Sequence, residues 1–306
     1  MNFMTKMESF IRRMSNTSDK ITLIQEALGR IEQRQISQYC TEVNEAEFRV
    51  FSQWGEDGII QYLINHIQID RKLFVEFGVE NYTESNTRFL VTNNCWSGLV
   101  IDGSEENIAY IKKDVIYWAR NLKAECAFIT KDNINELIAN SGISGDIGLL
   151  SVDIDGNDYW IWDAIKGISP RIVICEYNSL FGHTSKVTTP YDPDFVRGVA
   201  HYSKVYYGPS IAALCDLASR KGYSLVAGNS AGNNVFFVRN DVIGGLKVLS
   251  SQDAYCRSQF REYHDENGNL TFDDFETRLE KIQHLDLYDL ETKSVRKIKD
   301  ITDVMS

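Results

Sequence analysis

The fold is decided by residues 73–102, LFVEFGVENYTESNTRFLVTNNCWSGLVID, which contain two apolar runs separated by a polar connection. The first run, residues 73–75, leads into a turn at Gly78, and the second run, residues 98–101, ends at Asp102. Continuous apolar runs of this kind are typical of parallel strands that are buried on both faces. Asp102 lies 24 residues after Gly78. Nucleotide-binding βαβ units place a carboxylate on the ribose hydroxyls at roughly this spacing.

The turn after the first run favours a ligand that carries positive charge. A dinucleotide-binding turn needs further glycines so that bare backbone amides can approach a pyrophosphate, and residues 79–82, directly after Gly78, include none. Glu76 and Glu80 would repel a pyrophosphate. S-adenosylmethionine (SAM) has an ammonium, a sulfonium and a ribose but no phosphate, so it fits this turn better than NAD does.

The composition is that of a globular protein of 306 residues, with 43% apolar and 25% charged residues. A net charge of −11 argues against a nucleic-acid partner, and no apolar run approaches the roughly 18–20 residues that span a bilayer. The amphipathic N-terminus is unlike a signal peptide. The six cysteines include no CxxC pair, so we expect reduced thiols and a cytoplasmic protein.

Residues 1–48 predict a helical extension with an apolar stripe at heptad spacing. The stripe consists of Ile21, Ile24, Leu28 and Ile31, and Met7, Phe10 and Met14 continue it upstream. The polar run at residues 15–19 predicts a break into two helices. Two interpretations remain open: the helix mediates homo-oligomerisation, or it packs on the domain that follows it.

Strands and helices continue to alternate after Asp102. Further strands are predicted over residues 124–129, 147–154, 171–177, 223–226 and 235–239, the last two as a closing hairpin. This order predicts an α/β fold with a parallel, doubly wound sheet and an antiparallel edge. The expected divisions are the extension at 1–48, the sheet domain at 49–245 and an α+β appendage at 246–306. Ligands of such sheets bind at the carboxyl ends of the strands.

Several segments together resemble the FkbM-like methyltransferases, a family of class I SAM-dependent methyltransferases. The segments are FSQWGEDGII, FVEFGVENYTESNT, SVDIDGNDYWIW, VICEYN, GYSLVAGN and NNVFFVRND, and they cover roughly residues 50–241. The resemblance implies a Rossmann-like sheet of seven strands whose last strand is antiparallel. It also implies SAM as the cofactor and a glycan acceptor, since such proteins commonly accompany surface-polysaccharide biosynthesis.

The resemblance also implies where the cofactor binds. Glu76, Gly78 and Glu80 match the motif that holds the amino-acid end of SAM, and Asp102 matches the acid that binds the ribose. Asp132 and Asn133 match the adenine-contacting end of the third strand, and Asp153 begins the motif beside the methyl group. The predicted cofactor site is completed by residues at the starts of the adjoining helices, namely Ser85, Asn86 and Ser104.

The ends of the fourth and fifth strands are predicted to carry the chemistry. Asp155, Glu176 and Asn178 offer oxygen ligands from separate loops, a set that suits Mg²⁺ or Mn²⁺. Asp155 and Asp158 are candidates for the catalytic base, and His183 is the nearest candidate imidazole. The alternatives are that the acids solvate a turn, that Asp158 caps the next helix, and that His183 is a solvated surface residue.

Three functions are compatible with these observations. The first is a SAM-dependent O-methyltransferase that methylates a sugar hydroxyl on a small-molecule or glycan acceptor. The second is a nucleotide-sugar-modifying enzyme on the same fold, which the acidic turn disfavours because nucleotide sugars carry phosphates. The third is a non-catalytic scaffold that keeps the fold and uses its N-terminal helix to bring partners together.

Overall fold

The computed structural model describes residues 3–258 and 263–301, and the side chains of residues 3–16, 18, 19 and 37 lie outside this description. Its strands are β1 (Leu73–Phe77), β2 (Ser97–Asp102), β3 (Leu122–Cys126), β4 (Gly145–Val152), β5 (Ile168–Glu176), β6 (Val187–Thr188), β7 (Tyr223–Gly228), β8 (Asn234–Arg239), β9 (Tyr263–His264), β10 (Leu270–Thr271), β11 (Asp286–Asp289) and β12 (Ser294–Lys297). Its α-helices are α1 (Phe3–Tyr39), α2 (Glu56–His66), α3 (Arg88–Asn94), α4 (Glu105–Lys113), α5 (Val115–Ala119), α6 (Ile134–Asn140), α7 (Asp158–Ala164), α8 (Arg197–Ala200), α9 (Ile211–Lys221), α10 (Ser251–Ala254) and α11 (Phe275–Ile282).

Seven strands form the central sheet, in the order β3-β2-β1-β4-β5-β8-β7. The strands from β3 to β5 are parallel, and β8 runs antiparallel to both β5 and β7. This arrangement confirms the predicted fold class, a seven-stranded Rossmann-like sheet whose last strand is antiparallel. It also brings the carboxyl ends of β1, β2, β4 and β5 to one edge, where the polar residues of the sequence motifs lie.

Both faces of the sheet are covered, which explains why its central strands are continuously apolar. Within β1, Val75 belongs to the core on one side of the sheet and its neighbour Phe74 belongs to the core on the other. Helices α6, α7 and α9 contribute residues to the first core, and α2, α3 and α4 contribute to the second. The site therefore lies at the carboxyl edge of a sheet that is packed on both faces.

The third strand is shifted from the predicted 124–129, because β3 begins at Leu122 and ends at Cys126. The chain then leaves the sheet through a turn in which the backbone N–H of Thr130 donates to the side-chain oxygen of Asn133 over 2.8 Å. Residues 127–129 still line the cavity at the carboxyl edge, whereas Asp132 and Asn133 lie outside its lining.

The N-terminal helix α1 is continuous from Phe3 to Tyr39, so the predicted break at residues 15–19 is wrong. The helix packs in cis through a face that includes Gly29 and Ile36, and a Cβ at Gly29 would lie 2.5 Å from Val50. The predicted stripe lies outside that face, since Ile21, Ile24, Leu28 and Ile31 are all exposed. The side chains of Met7, Phe10 and Met14, which extend the predicted stripe, lie outside the described residues.

The C-terminal region supports one wall of the site. Strand β11 pairs with β6, and β12 pairs with β11, so a three-stranded sheet joins the two regions. A buried apolar cluster unites Phe181, Val187 and Val205 with Leu279 and Leu287. Because these contacts hold the segment between β5 and α9, they position the loop that contributes Phe195 and Arg197 to the cavity. Within the described ranges, no helix has both the length and the apolar character to cross a membrane.

Candidate functional site

A cavity of about 360 Å³ opens at the carboxyl edge of the sheet. Its lining is strongly acidic, and Arg197 is the one cationic side chain among the described lining residues. The acidic residues that line it are Glu76, Glu80, Glu84, Asp102, Asp153, Asp155 and Glu176. A charge distribution of this kind repels phosphates and attracts cations.

The turn after β1 can be made only by glycine. Gly78 has φ +68°, and a Cβ built on it would lie 1.7 Å from the carbonyl oxygen of Asp153. The backbone N–H of Gly78 donates to Ile101 over 3.0 Å, which holds the turn against the end of β2. Gly78 is therefore needed not only for the turn predicted to hold SAM but also for the close approach of the ends of β1 and β4.

Glu76 lines the cavity but is largely occupied by its own chain. Its carboxylate accepts hydrogen bonds from the backbone N–H groups of Asn86 and Thr87, over 2.8 and 3.2 Å, and from the Thr87 hydroxyl. Burial raises the pKa of Glu76 to about 7. Ser85 and Asn86 also line the cavity, so the predicted residues at this helix start are brought to the site.

Asp102 ties the first two strand ends together. Its carboxylate accepts from the backbone N–H of Glu80 over 2.8 Å, from that of Ser104 over 2.9 Å, and from the Asn107 side chain over 3.0 Å. A carboxylate has about four acceptor positions, so one position is left for a ligand hydroxyl. Ser104 does not line the cavity; its hydroxyl caps α4 by accepting from the N–H of Asn107.

The structure does not bring Asp132 or Asn133 to the cavity, contrary to the prediction. Asp132 is exposed, and the Asn133 side chain closes its own turn by bonding to the backbone of Thr130 and Phe128. Because β3 ends early, Phe128 and its neighbours line this part of the cavity instead. Phe128 is 49% exposed, so its ring is available to a flat ligand group.

Three carboxylates converge at the ends of β4 and β5. Asp153, Asp155 and Glu176 each offer an oxygen, and these oxygens all lie within 4.8 Å of one another. Burial and the neighbouring negative charges raise the pKa of both Asp153 and Glu176 well above the ordinary range. Arg197 opposes this effect, because its guanidinium bonds to Asp155 over 2.5 Å and lies 3.7 Å from the centre of the Tyr207 ring.

Three other residues predicted for this cluster lie outside the cavity lining. Asp158 is buried and accepts from the backbone N–H groups of Ile154 and Gly156, over 2.8 and 2.9 Å, so its carboxylate closes the turn before α7. Asn178 is occupied by its own chain, because its side-chain oxygen accepts from the backbone N–H of Leu180 and its amide donates to two backbone carbonyls. The ring of His183 packs edge-on against Tyr255, with 5.2 Å between ring centres.

Six polar or charged residues of the lining are absent from the predicted site: Gln53, Glu84, Asn157, Arg197, Asn233 and Asn234. Asn234 lies directly opposite Glu176 in the β5–β8 pair. The segment NNVFFVRND contains Asn234 and was noted as a motif, but only the strand register places it beside Glu176. Arg197 begins the short helix α8, and the sequence around it gives no comparable signal.

No family model matches the chain, and no curated protein matches it. Among solved structures, the N-terminal domain of EvdMO1 with S-adenosylhomocysteine (SAH) bound is 13% identical, with a TM-score of 0.39, over 69% of this chain and 95% of that one. The O-methyltransferase of Bacillus cereus in complex with SAH is 13% identical, with a TM-score of 0.38, over 68% and 90%. A SAM-dependent methyltransferase of Clostridium acetobutylicum is 12% identical, with a TM-score of 0.37, over 62% and 91%. These similarities are too distant to assign an activity.

Proposed function

We propose that this chain is a SAM-dependent O-methyltransferase. The observation that carries the proposal is the acidic cavity at the carboxyl edge of the sheet, where the Gly78 turn and Asp102 meet. Its volume of about 360 Å³ lies within the range usual for small-molecule sites. The acidic lining suits the ammonium and sulfonium of SAM and disfavours NAD and nucleotide sugars, whose phosphates it would repel.

The proposed cofactor position follows the strand ends. The remaining acceptor position of Asp102 binds a ribose hydroxyl, and the Phe128 ring at the end of β3 packs on the adenine. The amino-acid end lies above the Gly78 turn, near Glu80. The methyl group then points towards Asp153, which directly follows β4, and Glu176, the last residue of β5.

In the proposed reaction an acceptor hydroxyl oxygen forms a bond to the methyl carbon while the carbon–sulfur bond breaks, which leaves SAH. The hydroxyl proton passes to a carboxylate at the ends of β4 and β5, and alignment of oxygen, carbon and sulfur supplies most of the rate. Asp153 and Glu176 are the candidates for the base, since Asp158 is committed to its turn. A divalent cation at these carboxylates would act as a Lewis acid on the acceptor oxygen.

We propose a sugar hydroxyl as the acceptor, as in glycan biosynthesis. Three buried oxygens that line the cavity have no hydrogen-bond partner within the described structure, namely Asn157 Oδ1, Glu176 Oε2 and Asn234 Oδ1. A sugar presents several hydroxyl donors and no charge, so it can satisfy such acceptors without introducing a phosphate. The six free thiols are consistent with the proposed cytoplasmic location.

Isothermal titration calorimetry with SAM, SAH, NAD and a uridine-diphosphate sugar tests the proposal. We expect binding of SAM and SAH with micromolar affinity, on the order of −8 kcal/mol, and no heat from the two phosphate-bearing ligands. Binding of NAD or the nucleotide sugar in preference to SAM would refute it. A chain that binds none of the four would favour the scaffold function.

We also infer that the exposed stripe of α1 mediates self-association. Four large apolar side chains on one helix, Ile21, Ile24, Leu28 and Ile31, are each about half exposed or more. Their spacing of three and four residues is that of a coiled-coil seam. The opposite side of the helix already packs on α2 and α3, so the stripe is free to contact a second copy of the chain.

A further inference from the structure

The three carboxylates of the cavity have the spacing of a metal site. Asp153, Asp155 and Glu176 offer oxygens that all lie within 4.8 Å of one another. Ligand oxygens on opposite sides of Mg²⁺ are roughly 4 Å apart, because each oxygen lies about 2.0–2.1 Å from the ion. One small ion can therefore contact all three carboxylates with little movement of the chain.

Arg197, the one arginine of the cavity within residues 3–258 and 263–301, neutralises the charge of this cluster incompletely. Arg197 bonds to Asp155 over 2.5 Å, its Nε donates to the carbonyl of Lys204 over 2.7 Å, and its plane stacks on Tyr207. Glu176 is 5% exposed, and its Oε2 has no hydrogen-bond partner within the described structure. A buried carboxylate oxygen without a partner is costly unless a cation or donor reaches it.

Two further buried oxygens point independently to a ligand. Asn157 and Asn234 are each 3% exposed and line the same cavity, and the Oδ1 atom of each lacks a partner within the described residues. Their amide orientations are fixed, because Asn157 Nδ2 donates to the carbonyl of Asp192 and Asn234 Nδ2 donates to the carboxylate of Glu56. Mg²⁺ keeps several of its waters when it binds to protein. Such waters would donate to these two oxygens, which the guanidinium of Arg197 leaves unsatisfied.

We propose that Asp153, Asp155 and Glu176 bind a divalent cation of the Mg²⁺ or Mn²⁺ type, and that Arg197 competes with this cation for Asp155. The guanidinium occupies one side of the cluster when the cation is absent and must release Asp155 when the cation binds. This arrangement goes beyond the proposed methyl transfer, because cation binding requires neither SAM nor an acceptor. In the proposed reaction, the acceptor could then bind only after the cation has displaced Arg197 from Asp155.

The test is a Mn²⁺ titration of the full chain after removal of metal with EDTA, followed by electron paramagnetic resonance of the free ion and by calorimetry. Glu176→Gln and Asp155→Asn should weaken Mn²⁺ binding by about 10- to 100-fold. Arg197→Met keeps a long side chain over Tyr207 but removes the competing charge. It should tighten binding by about tenfold. Mg²⁺ should displace Mn²⁺ in each case.

The matched controls are Asp163→Asn and Arg220→Met, which change the net charge by the same amounts at an exposed pair outside the cavity. They should leave Mn²⁺ affinity unchanged. Equal affinity in the wild type and Glu176→Gln would show that the cluster is only a solvated turn. If Arg197→Met binds Mn²⁺ no more tightly than the wild type, Arg197 does not compete with the cation.

Circular dichroism on each variant checks folding. SAM calorimetry on the same samples separates this inference from the proposed function, because loss of SAM binding with intact Mn²⁺ binding contradicts only the latter.

Discussion

Replacement of Gly78 by alanine tests whether the ends of β1 and β4 must approach each other to form the cofactor turn. The residue has φ +68°, and an added Cβ would lie 1.7 Å from the carbonyl oxygen of Asp153. That oxygen belongs to the backbone and cannot rotate away. The variant must therefore move the turn, the end of β4, or both, and each of these lines the cavity.

The expected magnitude has two parts. A left-handed backbone costs a non-glycine residue about 1–2 kcal/mol, and overpacking of a tight contact costs about 1–3 kcal/mol. Gly78→Ala should thus lower the free energy of unfolding by about 2–5 kcal/mol. Gly142→Ala is a matched control, because Gly142 has φ +78° but nothing within 4 Å of an added Cβ. It should cost only the backbone part, about 1–2 kcal/mol.

Urea unfolding and SAM calorimetry measure the two consequences. Gly78→Ala should be the less stable variant by about 1–3 kcal/mol, and its SAM affinity should fall at least about tenfold because the turn and Asp153 have shifted. Gly142→Ala should bind SAM like the wild type. Equal destabilisation of the two variants would show that the close approach is not a constraint. Normal SAM affinity in a destabilised Gly78→Ala would place the cofactor elsewhere.

Three further outcomes follow from the geometry. Asp102→Ala should lose about 1–3 kcal/mol of SAM affinity by calorimetry, whereas Asn107→Ala, which removes one bond to the same carboxylate, should keep SAM affinity. Burial raises the pKa of Glu76 from 4.5 to about 7. The folded chain therefore holds a proton that the unfolded chain has released, and the free energy of unfolding should fall as the pH rises from about 4.5 to 7. Glu76 contributes about 3 kcal/mol to this loss, and Glu76→Gln should reduce the pH dependence by that amount. The double variant Ile24→Lys and Leu28→Lys should fall to monomer mass by light scattering, because both side chains lie on the exposed stripe of α1.

A different outcome would contradict each of these three predictions. If Asn107→Ala weakens SAM as much as Asp102→Ala does, Asp102 acts by shaping its loop and not by binding the ribose. If Glu76→Gln shows the same pH dependence as the wild type, another group carries the proton. If the wild type is already monomeric, or the lysine variant keeps its mass, the stripe does not mediate self-association. Truncation of residues 1–40 is a poorer test of this last point, because it also strips Ile36 from the core.

The architecture could be predicted because its signals are local. The apolar runs that became β1, β2, β4 and β5 are buried on both faces, so each is visible without knowledge of its neighbours. The break predicted at residues 15–19 is wrong because a local signal does not always decide the structure. Capping residues favour a helix start but do not impose one where a longer helix can continue, and α1 runs through them.

The site was predicted in part. Strand ends identified Gly78, Asp102, Asp153 and Glu176 correctly as lining residues, since ligands of open α/β sheets bind at carboxyl ends. The sequence spacing of Asp153, Asp155 and Asp158, which follow β4, could not decide which of these acids face the cavity. Asp155 has φ +58° and faces Arg197, while Asp158 turns back to cap the backbone of its own loop. A single turn of backbone thus separates a candidate metal ligand from a structural cap.

Arg197 shows why the remaining chemistry required the structure. It lies 42 positions from Asp155, at the start of the short helix α8. The β6–β11 pair and the apolar cluster of the C-terminal region hold this segment in place. The sequence near Arg197 carries no strand, cap or ligand pattern, so nothing local marks it as the counter-ion of an acidic cluster. Its role depends on the C-terminal region, in which the sequence analysis identified no chemistry. That region therefore contributes to the site through the loop it positions, and mutations that loosen β11 should act on the acceptor side of the cavity before they affect the cofactor side.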